Sequence, residues 1–123
     1  MAEALSHLLP PPPGKRRIIV VTGGRTFTDA ELVDRALTAV DPGMLIEGGA
    51  EGADRLCRAW ALAHGVQTLT MEANGARYGA AAGPRRNAGM VEVGRRLGAV
   101  LVAFPGGVGT ADCVSRARAA GMA

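Results

Sequence analysis

Aromatic side chains are scarce in this chain: Phe27, Trp60, Tyr78 and Phe104 are all that its 123 residues contain. A core must therefore come from Val, Leu, Ile, Met and a large share of Ala. Cysteine is scarcer still. Cys57 and Cys113 stand apart, with no Cys-x-x-Cys pair and no His/Cys cluster, so neither zinc nor any other metal is expected. Reduced thiols in the cytoplasm are the default for such usage. No segment approaches the ~20 uninterrupted apolar residues of a membrane span. The stretch from Met1 to Leu9 also lacks the basic and then apolar regions of a signal peptide. A cytoplasmic protein without a membrane partner is expected. Lysine is nearly missing: Lys15 stands against thirteen arginines. The formal net charge of +3 suits an anionic ligand and is too small to argue for duplex DNA.

What the chain has in excess is glycine, 18 residues of it, placed at telling points. The apolar run from Gly98 to Phe104 leads into Pro105-Gly106-Gly107-Val108-Gly109-Thr110, and a helix is expected from Ala111 to Ala120. Backbone N–H groups of such a loop, with the helix start behind it, can hold an anion, and phosphate is the natural guest. The arrangement recurs. Ile18 to Val21 is followed by Thr22-Gly23-Gly24-Arg25, and Met44 to Glu47 by Gly48-Gly49-Ala50-Glu51-Gly52-Ala53-Asp54. In an open parallel sheet, loops of this kind emerge together at the carboxyl edge, where ligands bind.

Residues 1–16 read as a disordered Pro-rich tail, with Pro10 to Pro13 as a spacer and Lys15-Arg16-Arg17 as a basic flank. Residues 17–123 read as a single domain in which strands and helices alternate. Thr28-Asp29 offers a cap for a helix from Ala30 to Val40, with Leu32, Val33, Ala36, Leu37 and Val40 on one face. Asp41-Pro42-Gly43 ends it. A second helix, Ala53 to His64, has the stripe Leu56, Ala59, Trp60 and Ala63 and closes at Gly65. Val66 to Met71 is strand-like, Glu72 to Gly83 reads as a loop, and Pro84 suits the first turn of a helix carrying Met90, Val91, Val93 and Leu97. The alternation predicts a three-layer αβα, Rossmann-like fold with a mostly parallel sheet in order 3-2-1-4. A fifth βα unit is missing from the pattern. The fourth strand would then be an open edge, and a partner subunit in a homodimer is expected to cover it.

Four motifs in order carry a family resemblance: Val21-Thr22-Gly23-Gly24-Arg25-x-Phe27, Gly48-Gly49-Ala50-x-Gly52-Ala53-Asp54, Ala82-Gly83-Pro84-x-Arg86-Asn87-x-x-Met90, and Phe104-Pro105-Gly106-Gly107-x-Gly109-Thr110. Together they resemble the SLOG superfamily, in particular its small YspA/YpsA-related branch, over Ile18 to Gly121. The superfamily is Rossmann-like and associated with nucleotides and nucleotide-derived ligands. Its relatives include the LOG phosphoribohydrolases, which release a base from a nucleoside 5′-monophosphate, and the DNA-processing protein A family. The resemblance implies that Gly106, Gly107, Gly109 and Thr110 hold a phosphate and that Arg86 and Asn87 sit at the ribose or reacting side. No cofactor is expected. In LOG enzymes a glutamate three positions after the threonine serves glycosidic cleavage; here that position is Cys113.

Individual residues keep two readings each. Arg25, directly after Gly23-Gly24, is a ligand contact or a solvated arginine. Asp54 accepts ribose hydroxyls or caps a helix. Glu47 ends a strand beside Gly48 and Gly49, where an acid is costly unless paired or exposed. Asp112 is a first-turn helix residue or a displaced carboxylate. Arg86, Glu47 and Asp112 are thus the weak catalytic candidates. Tyr78 stacks on a base or packs on the surface, Cys113 is a small buried residue or a nucleophile, and His64 closes a helix. The leading expectation is binding of a nucleotide-like small molecule, as a sensor or otherwise. The alternatives are a phosphoribohydrolase with a displaced carboxylate, and a DNA-associated module using Arg16, Arg17 and the helix arginines.

Overall fold

The computed structural model describes residues 16–123; the Pro-rich stretch and Lys15 lie outside the described residues. The chain alternates as β1 (Arg17–Thr22), α1 (Ala30–Val40), β2 (Pro42–Glu47), α2 (Ala53–Ala63), β3 (Gln67–Thr70), α3 (Gly75–Tyr78), a 3₁₀ turn (Gly79–Ala81), α4 (Ala82–Leu97), β4 (Val100–Ala103) and α5 (Val108–Ala119). The four strands form one sheet in the order β3-β2-β1-β4. Every neighbouring pair is parallel, with Val20 opposite Ile46 on one side and Leu101 on the other. The sheet is the three-layer, Rossmann-like one that the alternation predicts.

The two faces of the sheet carry separate cores. Ile19, Val21, Leu45 and Val102 pack with Val33, Ala36 and Leu37 of α1 and Ala53, Cys57 and Ala61 of α2. On the opposite face Val20 and Ile46 meet Met90 and Val91 of α4 and Cys113 and Ala117 of α5. Small residues allow close approach: Gly94 lies so near Val20 that a β-carbon there would sit 2.7 Å from a valine methyl. No helix among the described residues is long and apolar enough to cross a membrane.

Several boundaries differ from the sequence reading. Helix α5 begins at Val108 rather than Ala111, because Gly107 occupies the N-cap position and the Ala111 N–H already bonds the Gly107 carbonyl at 3.0 Å. Gly109 and Thr110 are therefore in the first helical turn, whose N–H groups have no partner within the helix. The expected Glu72–Gly83 loop holds α3 and the 3₁₀ turn; Asn74 caps α3 by accepting from the Arg77 N–H at 3.1 Å. Strand β2 starts at Pro42, which a first strand position tolerates. Helix α2 is rotated from its expected stripe: Ala53, Asp54, Cys57 and Ala61 are buried, and Ala59 and Ala63 are exposed. Trp60 is half-buried instead, its indole N–H donating to Asp34 Oδ1 at 2.9 Å and its ring stacking on His64. The outer edge of β4 is partly engaged from within the chain, since the Leu101 N–H donates to the Ala123 carbonyl at 2.9 Å.

Candidate functional site

The glycine-rich loops after β1, β2 and β4 converge because they pack directly on one another. The Gly24 N–H donates to the Pro105 carbonyl at 2.9 Å, and the Gly24 carbonyl accepts from the N–H groups of Phe27 at 3.2 Å and Ala53 at 3.1 Å. Gly24 thus ties the β1 loop to the other two. They border a cleft of about 1120 Å³ at the carboxyl edge of the sheet. That is slightly above the ~300–1,000 Å³ usual for small-molecule sites.

The structure brings most of the singled-out residues to this cleft. Gly23, Gly24 and Arg25 line it from the β1 loop, Asp54 from α2, Arg86 and Asn87 from α4, and Gly106, Gly107, Gly109 and Thr110 from the β4 loop and α5. Asp112 also lines it. Gly48 and Gly49 do not; they support it from behind. Glu47 is fully buried under that rim, its carboxylate taking the Gly49 N–H and the Thr70 hydroxyl. Its oxygens are committed to holding the loop. Tyr78 is not among the lining residues either; its ring lies against the guanidinium groups of Arg85, 4.2 Å away, and Arg77, at 5.1 Å.

A chain of polar contacts crosses the floor. Asp54, 5 % exposed, accepts from the Gly48 N–H at 3.1 Å and the Ala50 N–H at 3.3 Å through one oxygen. Burial pushes its carboxyl above the ordinary range, against the pull of those N–H groups and of Arg86. Arg86 donates from Nη1 to the Gly48 carbonyl at 2.7 Å and from Nε to Asn87 Oδ1 at 2.9 Å. The Asn87 amide in turn donates to the Gly109 carbonyl at 3.1 Å and to Asp112 Oδ2 at 3.0 Å. Arg116 completes the set with a 2.9 Å bond to the same Asp112 oxygen. Hydrogen bonding from Asn87, helped by Arg116, holds the Asp112 carboxyl below the usual range. Asp112 is an ionised acid at the cleft wall.

The N–H groups of Gly106, Gly107, Val108, Gly109 and Thr110 have no protein acceptor among the described residues. Arg25, on the adjoining β1 loop, is exposed and makes no ion pair among them. Cys113 is fully buried, and burial raises its thiol, so it is no nucleophile in this state. Sequence reasoning missed the apolar wall: Phe27 and Met90 border the cleft together with Ala73 before α3, Ala80 of the 3₁₀ turn and Pro84 of α4. The only sequence signal for the Asp112–Arg116 pair is its i, i+4 spacing.

A parallel four-stranded sheet clad by helices, with glycine loops gathered round a cleft at its carboxyl edge, defines a Rossmann-like domain. The chain belongs to the YspA, cpYpsA-related SLOG family, whose profile matches residues 17–78. That span runs from β1 through α3 and includes the Gly23-Gly24 and Gly48–Asp54 loops. No curated protein matches the chain.

Proposed function

We propose that this domain binds a nucleotide or nucleotide-derived ligand in the cleft, with a phosphate at the amino end of α5. The carrying observation is the set of unpartnered N–H groups from Gly106 to Thr110 at the cleft. A phosphate oxygen bonds such donors directly and meets the positive end of the helix dipole. Arg25 adds a cation from the adjoining β1 loop, and Arg86, whose Nε and Nη1 bond within the protein, has Nη2 without a protein acceptor among the described residues. Phe27 and the wall at Ala73, Ala80 and Pro84 offer the apolar surface that a base requires. Family membership agrees with a nucleotide-related ligand.

A second reading is favoured by one observation, the ionised Asp112 at the cleft wall. Cleavage of an N-glycosidic bond builds positive charge on the ribose, which a carboxylate stabilises. Water would add to C1′, and the base would leave with a proton. Titration calorimetry with AMP, ADP-ribose, NAD and inorganic phosphate tests the first reading, and assay of free adenine after incubation with AMP tests the second. Binding without adenine release supports a sensor or carrier. Adenine release that disappears in Asp112→Asn supports hydrolysis, and heatless titrations with all four compounds would sink both.

A further inference from the structure

Asn87 is 3 % exposed, and its amide is used to capacity. Its carbonyl oxygen accepts from Arg86 Nε, and its two N–H bonds go to the Gly109 carbonyl and to Asp112. Nothing of the donor pair is left for a ligand. The partners are informative: one is the backbone of the first turn of α5, and another, through Arg86, leads to the Gly48 carbonyl on the far rim.

That first turn needs outside support. Gly107 at the N-cap supplies no side-chain bond to it. Gly109 within it loses more backbone freedom on ordering than any other residue would. Asparagine in the opening turns of α4 is itself a poor choice for a helix. Asn87 spends that disadvantage on a clamp across the helix gap.

We infer that Asn87 is a positioning residue: it pins the first turn of α5 to α4 and, through Arg86, to the β2 rim, so that the N–H groups of Gly107 to Thr110 stay fixed for an anion. This rests on the phosphate reading of the same cleft. The charge pattern around the amide supports a neutral residue there. Arg86 on α4 and Asp112 and Arg116 on α5 face it, with Asp54 of α2 beyond Arg86. A carboxylate at position 87 would lose both donated bonds and repel Asp112.

The test compares wild type with Asn87→Ala and Asn87→Ser, by AMP affinity and by ¹⁵N-resolved amide spectra with hydrogen exchange. In the alanine variant the AMP Kd should rise about tenfold, which is what loss of a buried hydrogen bond to the loop implies. The Gly109 and Thr110 amide resonances should move, and the Ala111 amide, bonded to Gly107 across the first turn, should exchange faster than global unfolding allows. Serine retains a donor and should recover part of the affinity; it also serves if the alanine variant fails to fold. An alanine variant with unchanged AMP affinity and unchanged Ala111 exchange, at whatever melting temperature, would overturn the assignment. If wild type itself ignores AMP, the phosphate reading falls, while Ala111 exchange still decides the clamp.

Discussion

At Gly106 a β-carbon would collide with the Thr110 hydroxyl and come within 2.6 Å of the Gly24 nitrogen; at Gly48 it would strike the Arg86 guanidinium. These glycines are there so that loops and a charged side chain can touch. Gly106→Ala should therefore destabilise by about 1–3 kcal/mol, as overpacking does, measured by urea denaturation. The two cleft acids, Asp54 and Asp112, give a second residue-level prediction, with opposite signs. Asp54 has a raised pKa in the folded state, so the native protein holds that proton more firmly than the unfolded chain. Its contribution to stability falls as pH rises from the ordinary 3.8 through the folded value. Asp112 is lowered, so its contribution is present above 3.8 and is lost as pH falls through the folded value. Stability of Asp54→Asn relative to wild type should climb as pH rises above 3.8, whereas Asp112→Asn should fall behind wild type as the medium leaves strong acid. Parallel pH profiles for the two variants would contradict these environments.

Helix α5 separates fold from function at its start. Gly107 has no atom within 4 Å of a built β-carbon and an ordinary negative φ. Gly107→Asp puts a good N-cap there, which should leave stability unchanged or raise it by a few tenths of a kcal/mol. The same carboxylate would occupy or repel the anion position, so AMP affinity should fall at least tenfold; melting and calorimetry on one variant check both. At α1 the Asp29 carboxylate accepts from the Leu32 N–H at 2.9 Å, and Asp29→Ala should cost about 1 kcal/mol. Helix α1 was legible from sequence to its ends because cap, apolar stripe and Asp41 stop agree. The start of α5 was not, since Gly-Val-Gly-Thr has the composition of a loop and carries no side-chain cap. Four-residue α3 is too short to show a period. The apolar stripe of α2 was displaced because Asp54, a polar residue, turns inward to bind the Gly48 and Ala50 N–H groups. Strand order and the loops that meet at the rim were readable, because βα alternation and right-handed crossovers leave few choices. The division of labour among the rim residues was not: Glu47, Gly48 and Gly49 brace the rim, and only the three-dimensional contacts distinguish bracing from lining.

On the scale of the whole molecule, the sheet sets three loops side by side, and a polar chain from Gly48 through Arg86 and Asn87 to Gly109 joins two of them. A ligand anchored at α5 and contacting Arg86 would engage both rims and stabilise the entire domain through linkage. The deciding measurement is the thermal midpoint of wild type with AMP and, in parallel, with adenosine, which lacks the phosphate. At ~100 times Kd a ligand adds about 2.7 kcal/mol, a rise on the order of 10 °C for a domain of this size. AMP should give that rise, and adenosine little or none. Equal shifts with both compounds, or none with either, would contradict a phosphate site at the amino end of α5.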